Sequence, residues 1–360
     1  MYNNSKHKEA GLSLIELMIA MLVGLILIAG VLSIFISSRA SYGINGAVGQ
    51  IQENGRFALD FIRTATRKAG YMGCATSAQT ASYLNVAADP LAYNFNQAIY
   101  GFEYTGMPPA PTENPAPDPT AGNWAPALDA FLTDKVLPNT DVLVVRFTQN
   151  NPMYISNINN PATNMIVTGV VTGVNSLAPG DLMLISNCNS AIVMQTSAPT
   201  AGSTITYAPA AGTPGNAVTV LPQSYIGAQV VSPNTDAFYI GAGADGSPTL
   251  FAATFVGGTF TSQELVSGVE SMRVLYGVDI DGDQVPDEYD TAVAVNGAGL
   301  WGSVVSVRVA LLLRSNNGAV PQPTAATPIT LLESTTAFTP PLDTRLRQKF
   351  IANINLRNGQ

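Results

Sequence analysis

The sequence predicts an α+β fold in which one long N-terminal, membrane-spanning helix packs on a large antiparallel β-rich globular domain. Twenty consecutive residues, Leu17 to Ile36, carry no charge. No proline precedes Pro90, so a helix can continue well beyond that run. From Asp141 onward, short blocks rich in Val, Ile, Tyr and Phe alternate with Gly, Pro and Asn, which is typical of antiparallel strands.

The uncharged run is long enough to cross a membrane. At about 1.5 Å per residue its helix spans roughly 30 Å, the thickness of the hydrocarbon core of a bilayer. A secretory signal peptide would be shorter and would end at a small-x-small cleavage site. The run therefore predicts an uncleaved, single-pass anchor. Glu16 stands beside it, where a carboxylate is costly unless it is paired.

Beyond the membrane, the helix is predicted to be amphipathic. Apolar residues recur at spacings of three, four or seven and form one stripe, which should pack on the globular domain. The stripe consists of Ile44, Val48, Ile51, Ala58, Ile62, Ala65 and Ala69. The helix should end in "RKAGYMGC", where Gly70 and Gly73 favour a stop.

The β-rich region is predicted from short apolar blocks. They begin at Asp141, Asn164, Asp181, Ala191, Ser203, Asp236 and Thr249. "VVSVRVALLLRS", from Val304, has the strongest alternation and should be a central strand. The proline-laden stretch "MPPAPTENPAPDPTAGNWAP" is expected to be an extended surface loop.

Composition excludes several classes of function. The net charge of −8 and the pI near 4.6 offer no basic surface for phosphates, so nucleic acid is not expected as a general partner. The one histidine is His7. If the N-terminal stretch is removed, neither a histidine-dependent catalytic triad nor a histidine-ligated zinc site is possible, and we expect no enzyme.

The chain has two cysteines, Cys74 and Cys188. In an exported chain, two cysteines are the number that makes one disulfide, which would close a long loop. Two buried free thiols are the alternative.

An acidic loop lies in the C-terminal third of the chain. Six acids stand in the twelve residues from 279 to 290. Their spacing is that of an EF-hand-like calcium loop, with oxygen ligands at positions 1, 3, 5, 7, 9 and 12. The predicted Ca²⁺ ligands are Asp279, Asp281, Asp283, the carbonyl of Val285, Asp287 and Asp290. Position 6 is Gln284 instead of glycine, and a solvated hairpin turn without an ion is the alternative.

The N-terminal stretch "GLSLIELMIAMLVGLIL" resembles the type IV prepilins. It fits their motif at Gly11, Leu14, Ile15, Glu16, Leu17 and Met18, and it departs at Leu12, where phenylalanine is usual. The segments "QENGRFALDFIRTATRKAGYMGC", "GVESMRVLYGVDIDGDQVPDEYD" and "RLRQKFIANINLRN" resemble the PilW-type minor pilins.

The resemblance implies three regions: a leader (residues 1–11), a transmembrane and amphipathic helix (12–70) and a β-rich pilin domain (71–360). It implies cleavage between Gly11 and Leu12 by a prepilin peptidase, methylation of the new Leu12 amine, and pairing of Glu16 with the amine of a neighbouring subunit. Pairing of Glu16 with its own Leu12 amine, one turn away, is the alternative.

The function implied is that of a minor pilin that initiates or caps a type IV pilus and supports adhesion, twitching motility or DNA uptake. Its partners would be other minor and major pilins, the prepilin peptidase and methylase, and a PilY-type tip adhesin. It would lie in the inner membrane before assembly and then in the cell-surface pilus, with its globular domain periplasmic or extracellular. The rivals are a minor pseudopilin of type II secretion and a membrane-anchored, calcium-dependent surface enzyme. A simple anchored binding domain that is never assembled is the third alternative.

Overall fold

The computed structural model describes residues 13–85, 91–149, 152–168, 177–197, 202–208, 214–218, 220–256, 258–323, 327–333 and 335–357. Two α-helices lie in these residues: α1 (Leu14–Thr66) and α2 (Ala292–Ala298). The strands, in chain order, are β1 (Thr80–Ser82), β2 (Ile99–Tyr104), β3 (Trp124–Ala125), β4 (Val142–Thr148), β5 (Met153–Asn160), β6 (Asn164–Thr168), β7 (Leu182–Ser186), β8 (Ala191–Gln195), β9 (Thr204–Thr206), β10 (Gln229–Val231), β11 (Pro233–Ala242), β12 (Pro248–Val256), β13 (Thr259–Ser267), β14 (Val269–Val278), β15 (Glu288–Asp290), β16 (Val304–Arg314) and β17 (Arg347–Asn355).

The described strands form three sheets. The C-terminal sheet has the order β15-β14-β16-β17, and the middle sheet has the order β13-β12-β11-β4-β2-β3. The insert sheet has the order β1-β8-β7-β10-β5-β6-β9. Within the described chain every strand pair is antiparallel except β1 with β8, which is parallel. The α+β fold predicted from the sequence is confirmed.

The C-terminal half of α1 packs against the globular domain. Its buried residues are Ile51, Gly55, Ala58, Leu59, Ile62, Ala65 and Thr66, and Ala69 is buried just beyond its end. Most of these are members of the predicted apolar stripe, whereas Ile44 and Val48 are only half-buried. At Gly55 the helix touches the ring of Phe350 on β17, where an added Cβ would lie 2.6 Å from ring carbons. The glycine therefore permits a close approach of helix to sheet.

One continuous core joins α1, the middle sheet and the C-terminal sheet. The contact between the two sheets includes Gly101 on β2 and the fully buried Tyr276 on β14. Aromatic rings extend this contact, because Trp301 packs 4.9 Å from the ring of Tyr276 and 4.7 Å from that of Tyr100. The insert sheet is built around two further apolar clusters, one of which also includes Phe255 of β12 in the middle sheet.

The predicted disulfide is present between Cys74 and Cys188, with Cα atoms 4.5 Å apart. Cys74 follows the end of α1, and Cys188 lies in the turn between β7 and β8. The bridge spans 114 residues of sequence. It ties the end of the helix directly to the insert sheet.

Every predicted strand block coincides with a strand among the described residues, although the part of the Asn164 block beyond Thr168 lies outside them. β16 is an inner strand between β14 and β17, as its alternation predicts. The strands missing from the prediction include β5 and β13. Only Val266 is buried on β13, and the three buried residues of β5, Met153, Ile155 and Ile158, are separated by polar residues, so neither sequence forms a continuous apolar block.

Substitution of Gly101 by alanine should destabilise the domain by about 1–3 kcal/mol, because the new methyl group would overlap the buried Tyr276 hydroxyl. Thermal unfolding of the purified full-length protein in detergent, followed by circular dichroism, measures this. Gly122→Ala is the matched control, because nothing lies within 4 Å of its added Cβ. Equal melting temperatures for the two variants would contradict the close contact.

Removal of the disulfide by the double change Cys74→Ser and Cys188→Ser should lower the free energy of unfolding by about 2–5 kcal/mol, because a long loop is released in the unfolded chain. The reduced wild-type protein should melt near the double variant. Peptide mapping without reductant that finds both thiols alkylatable in the folded protein would refute the bridge.

Candidate functional site

The candidate assembly site is the start of α1. Ser13 is the N-cap, and its hydroxyl accepts a hydrogen bond of 3.3 Å from the backbone N–H of Glu16. The Glu16 carboxylate accepts in return from the Ser13 backbone N–H at 3.4 Å and from its hydroxyl at 3.3 Å. This reciprocal arrangement is a capping box, and it places a carboxylate at the positive end of the helix dipole.

The structure thus gives Glu16 a partner that the sequence interpretation did not consider. The spacing Ser13-x-x-Glu16 is the signature of a capping box and would have predicted it. The two bonds to the carboxylate are long and solvent-exposed, so Glu16 keeps the capacity to accept a shorter bond from a cation. Gly11 and Leu12, the predicted processing residues, lie outside the described residues.

The first half of α1 is not buried against any part of the chain that the structure describes. None of the residues from 14 to 36 is buried, although most are large and apolar. In the described part of the chain, α1 is the one helix long and apolar enough to cross a membrane, judged by length and composition. Its apolar half therefore suits lipid or the helices of other membrane-anchored subunits.

The candidate metal site is the loop between β14 and β15. Asp279, Asp281 and Asp283 each place one carboxylate oxygen within 4.8 Å of the others. Asp279 is buried, whereas the other two are exposed. Gln284 adopts a left-handed φ of 70°. Position 6 of the predicted calcium loop thus has the conformation that usually selects glycine there.

The carboxylates of Asp287 and Asp290 do not join this cluster. Asp287 accepts a 2.7 Å hydrogen bond from the backbone N–H of Ile280. Asp290 lies on β15 opposite Tyr276, and the Val285 side chain is exposed while its N–H donates to Asp283. The structure therefore brings together three of the predicted carboxylates.

The loop's carboxylates differ in proton affinity. Burial raises the pKa of Asp279, but hydrogen bonds from the backbone of Gln284, Gly282 and Asp283 outweigh it and leave the pKa lowered. For Asp281, the backbone N–H of Asp283 lowers the pKa, but repulsion from the neighbouring carboxylates outweighs it and leaves the pKa raised. A cation would relieve that repulsion.

The sequence interpretation did not identify a buried ion pair that has a structural role. Arg273 on β14 pairs with Asp141 at 2.7 Å, and both side chains are almost completely buried. The Asp141 carboxylate also accepts from the backbone N–H groups of Tyr104 and Val274. The pair links the middle and C-terminal sheets. The signal was a single charge within each apolar run, "MRVLY" and "TDVLVV".

Comparison with known families places two parts of the chain. Residues 237–358 match the family described as Type IV Pilus-assembly protein W. Residues 6–32 match the prokaryotic N-terminal methylation motif. The resemblance read from the sequence is therefore confirmed at both ends. Comparisons with curated proteins and with solved structures give no match.

Proposed function

We propose that this chain is a minor pilin that helps to initiate or cap a type IV pilus. One observation carries the proposal: the prepilin methylation motif covers the start of a single helix, and the second half of that helix is packed on the sheet that matches assembly protein W. That arrangement can anchor a subunit in the membrane and later present its domain on a filament. Its partners would be other minor and major pilins, with a PilY-type tip adhesin at the end of the filament.

Processing is the first step of this proposal. A prepilin peptidase would cleave between Gly11 and Leu12, and the Leu12 amine would be methylated. Cleavage there leaves one residue ahead of the N-cap Ser13. Because the leader is removed on the cytoplasmic side, the globular domain would lie in the periplasm before assembly and outside the cell afterwards. Adhesion, twitching motility and DNA uptake are the cellular roles such a subunit would support.

Assembly is the second step. The Glu16 carboxylate of one subunit would accept the cationic Leu12 amine of its neighbour, because a buried unpaired carboxylate is costly and an ion pair offsets that cost. The exposed capping box supports this proposal, since it holds Glu16 at the start of the helix where the amine of a neighbour can reach it. The pair would fix the axial register of the two helices.

A pseudopilin of type II secretion has the same N-terminal chemistry, but the match with a pilus-assembly family favours the pilus. Copurification of the protein with pili or with a type II secretion pseudopilus distinguishes the two alternatives. The rival enzyme gains no support, because both matches are with pilus-associated features. A hydrolase screen of the full-length protein tests it.

We expect Glu16→Ala and Glu16→Gln to insert into the membrane normally and to be depleted in sheared pili, because both remove the charge that the neighbour's amine requires. Immunoblots of the membrane and sheared-pilus fractions measure this. Glu53→Gln is the control, because it removes an exposed carboxylate from the same helix beyond the membrane. Normal amounts of both Glu16 variants in pili would exclude the register mechanism.

We also propose that the loop from Asp279 to Asp290 binds Ca²⁺ with modest affinity and stabilises its hairpin. The converging carboxylates and the left-handed Gln284 support it. Ca²⁺ prefers such oxygen ligands. Because the ion would bind the folded state, it would add stability by mass action.

At Ca²⁺ concentrations of ten to a hundred times Kd, the wild-type protein should gain about 1–3 kcal/mol of stability over the chelated protein. The double change Asp281→Asn and Asp283→Asn should abolish the gain. Glu53→Gln with Asp60→Asn is the control, because it removes the same charge from the exposed face of α1. Absence of a melting shift and of binding heat in the wild-type protein would favour the solvated turn.

A further inference from the structure

A cationic cleft lies at the C-terminal end of α1. Its volume is about 590 Å³, and its cations are Arg67 and Lys68 from the helix end and Arg357 from the residues after β17. Tyr71 and Phe147 form an aromatic wall, and the Lys68 ammonium lies 5.5 Å from the centroid of the Phe147 ring. Among the described residues, no carboxylate lines the cleft. We call this set of five residues the cationic cleft.

The three cations have no ion-pair partner within the described part of the chain. Asp236 lies near Lys68, but its carboxylate is largely buried and accepts 2.8 Å hydrogen bonds from Asn234 and Thr254. The arginines of β14, β16 and β17 differ, because Arg273, Arg314 and Arg347 are each paired with a carboxylate and Arg308 is held by Asn353 and the ring of Tyr289.

The cleft lies far from the membrane. Arg67 is 31 residues beyond Ile36, which corresponds to about 46 Å along a helix. Beside the helix, β17 passes Gly55 at Phe350 and continues to Arg357, so both elements reach the cleft at their C-terminal ends. In the proposed function, the headgroups of the anchoring membrane are therefore out of reach, and the ligand comes from the periplasm or the cell exterior.

The acidic loop and the cleft lie at the same end of the C-terminal sheet. Val278, which precedes the loop, pairs with Val304, and the neighbouring Ser306 pairs with Asn355 just before Arg357. A long polyanion such as nucleic acid would be repelled by this loop. A folded protein can present an acidic segment to the cleft and keep other charges away from the loop.

The walls of the cleft also favour a peptide. Each guanidinium group can donate two parallel hydrogen bonds to a carboxylate. The aromatic rings and the aliphatic stems of Arg67, Lys68 and Arg357 offer apolar contact beside these charges. Aromatic residues and arginine are the types enriched where proteins bind each other.

We propose that the cationic cleft binds an acidic segment of an adjoining pilus subunit, whose aspartate or glutamate carboxylates pair with Arg67, Lys68 and Arg357. The inference rests on the proposed function, because it names the contact that this subunit makes at its membrane-distal end. The contact is separate from the pairing of Glu16 at the other end of α1. The two proposals can therefore fail independently.

The test uses the full-length protein in detergent and a fluorescein-labelled twelve-residue peptide of alternating Glu and Gly. Fluorescence anisotropy at low salt measures its binding. The double variant Arg67→Gln with Arg357→Gln removes two cations from the cleft. The matched control is Arg56→Gln with Lys349→Gln, which removes two exposed cations that do not line it.

We expect the cleft variant to bind the peptide about tenfold more weakly than wild type and the control to stay within about twofold, since only the cleft variant removes the paired charges that converge on one binding surface. Equal affinities of the two variants would overturn the inference, as would binding of a single-stranded oligonucleotide in preference to the peptide. In cells, the cleft variant should be processed normally and be depleted in sheared pili. A cleft variant that binds normally while Glu16 variants fail to assemble would refute the cleft alone.

Discussion

The rest of the structure depends on one constraint: a single continuous helix must be compatible with lipid along its first half and with the core of the globular domain along its second half. The first half of α1 is not buried against the described residues of its own chain, whereas the second half supplies one face of the main core. The change occurs within one 53-residue helix without a proline. Gly55 allows the helix to approach Phe350, so the second half of α1 packs closely on the C-terminal sheet.

The position of the helix end determines what lies beyond it. Cys74 follows the helix and holds the insert sheet through Cys188, while Arg67 and Lys68 border the cationic cleft. The match with the pilus-assembly family covers residues 237–358, which contain the C-terminal sheet but not the insert sheet. We interpret α1 and the C-terminal sheet as the platform for assembly, and the insert sheet as a unit that the platform carries.

The sequence predicts best the features with local signals. The stripe ending at Ala65 and Ala69 and the alternation of β16 are periodic, and both are confirmed. The disulfide followed from there being only two cysteines. The three-sheet arrangement could not be predicted, because pairings such as β10 with both β5 and β7 depend on contacts distant in sequence. The cationic cleft could not be predicted for the same reason, because Arg67 and Arg357 lie far apart in the sequence.

The central claim is that this chain is processed as a prepilin and becomes part of a pilus. The most direct measurement is mass spectrometry of its N-terminal peptide, taken from pili sheared from cells that express the wild-type protein. The account predicts a peptide that begins at Leu12 and carries one methyl group on its amine. A mature chain that begins at Met1, or at any residue other than Leu12, would contradict it.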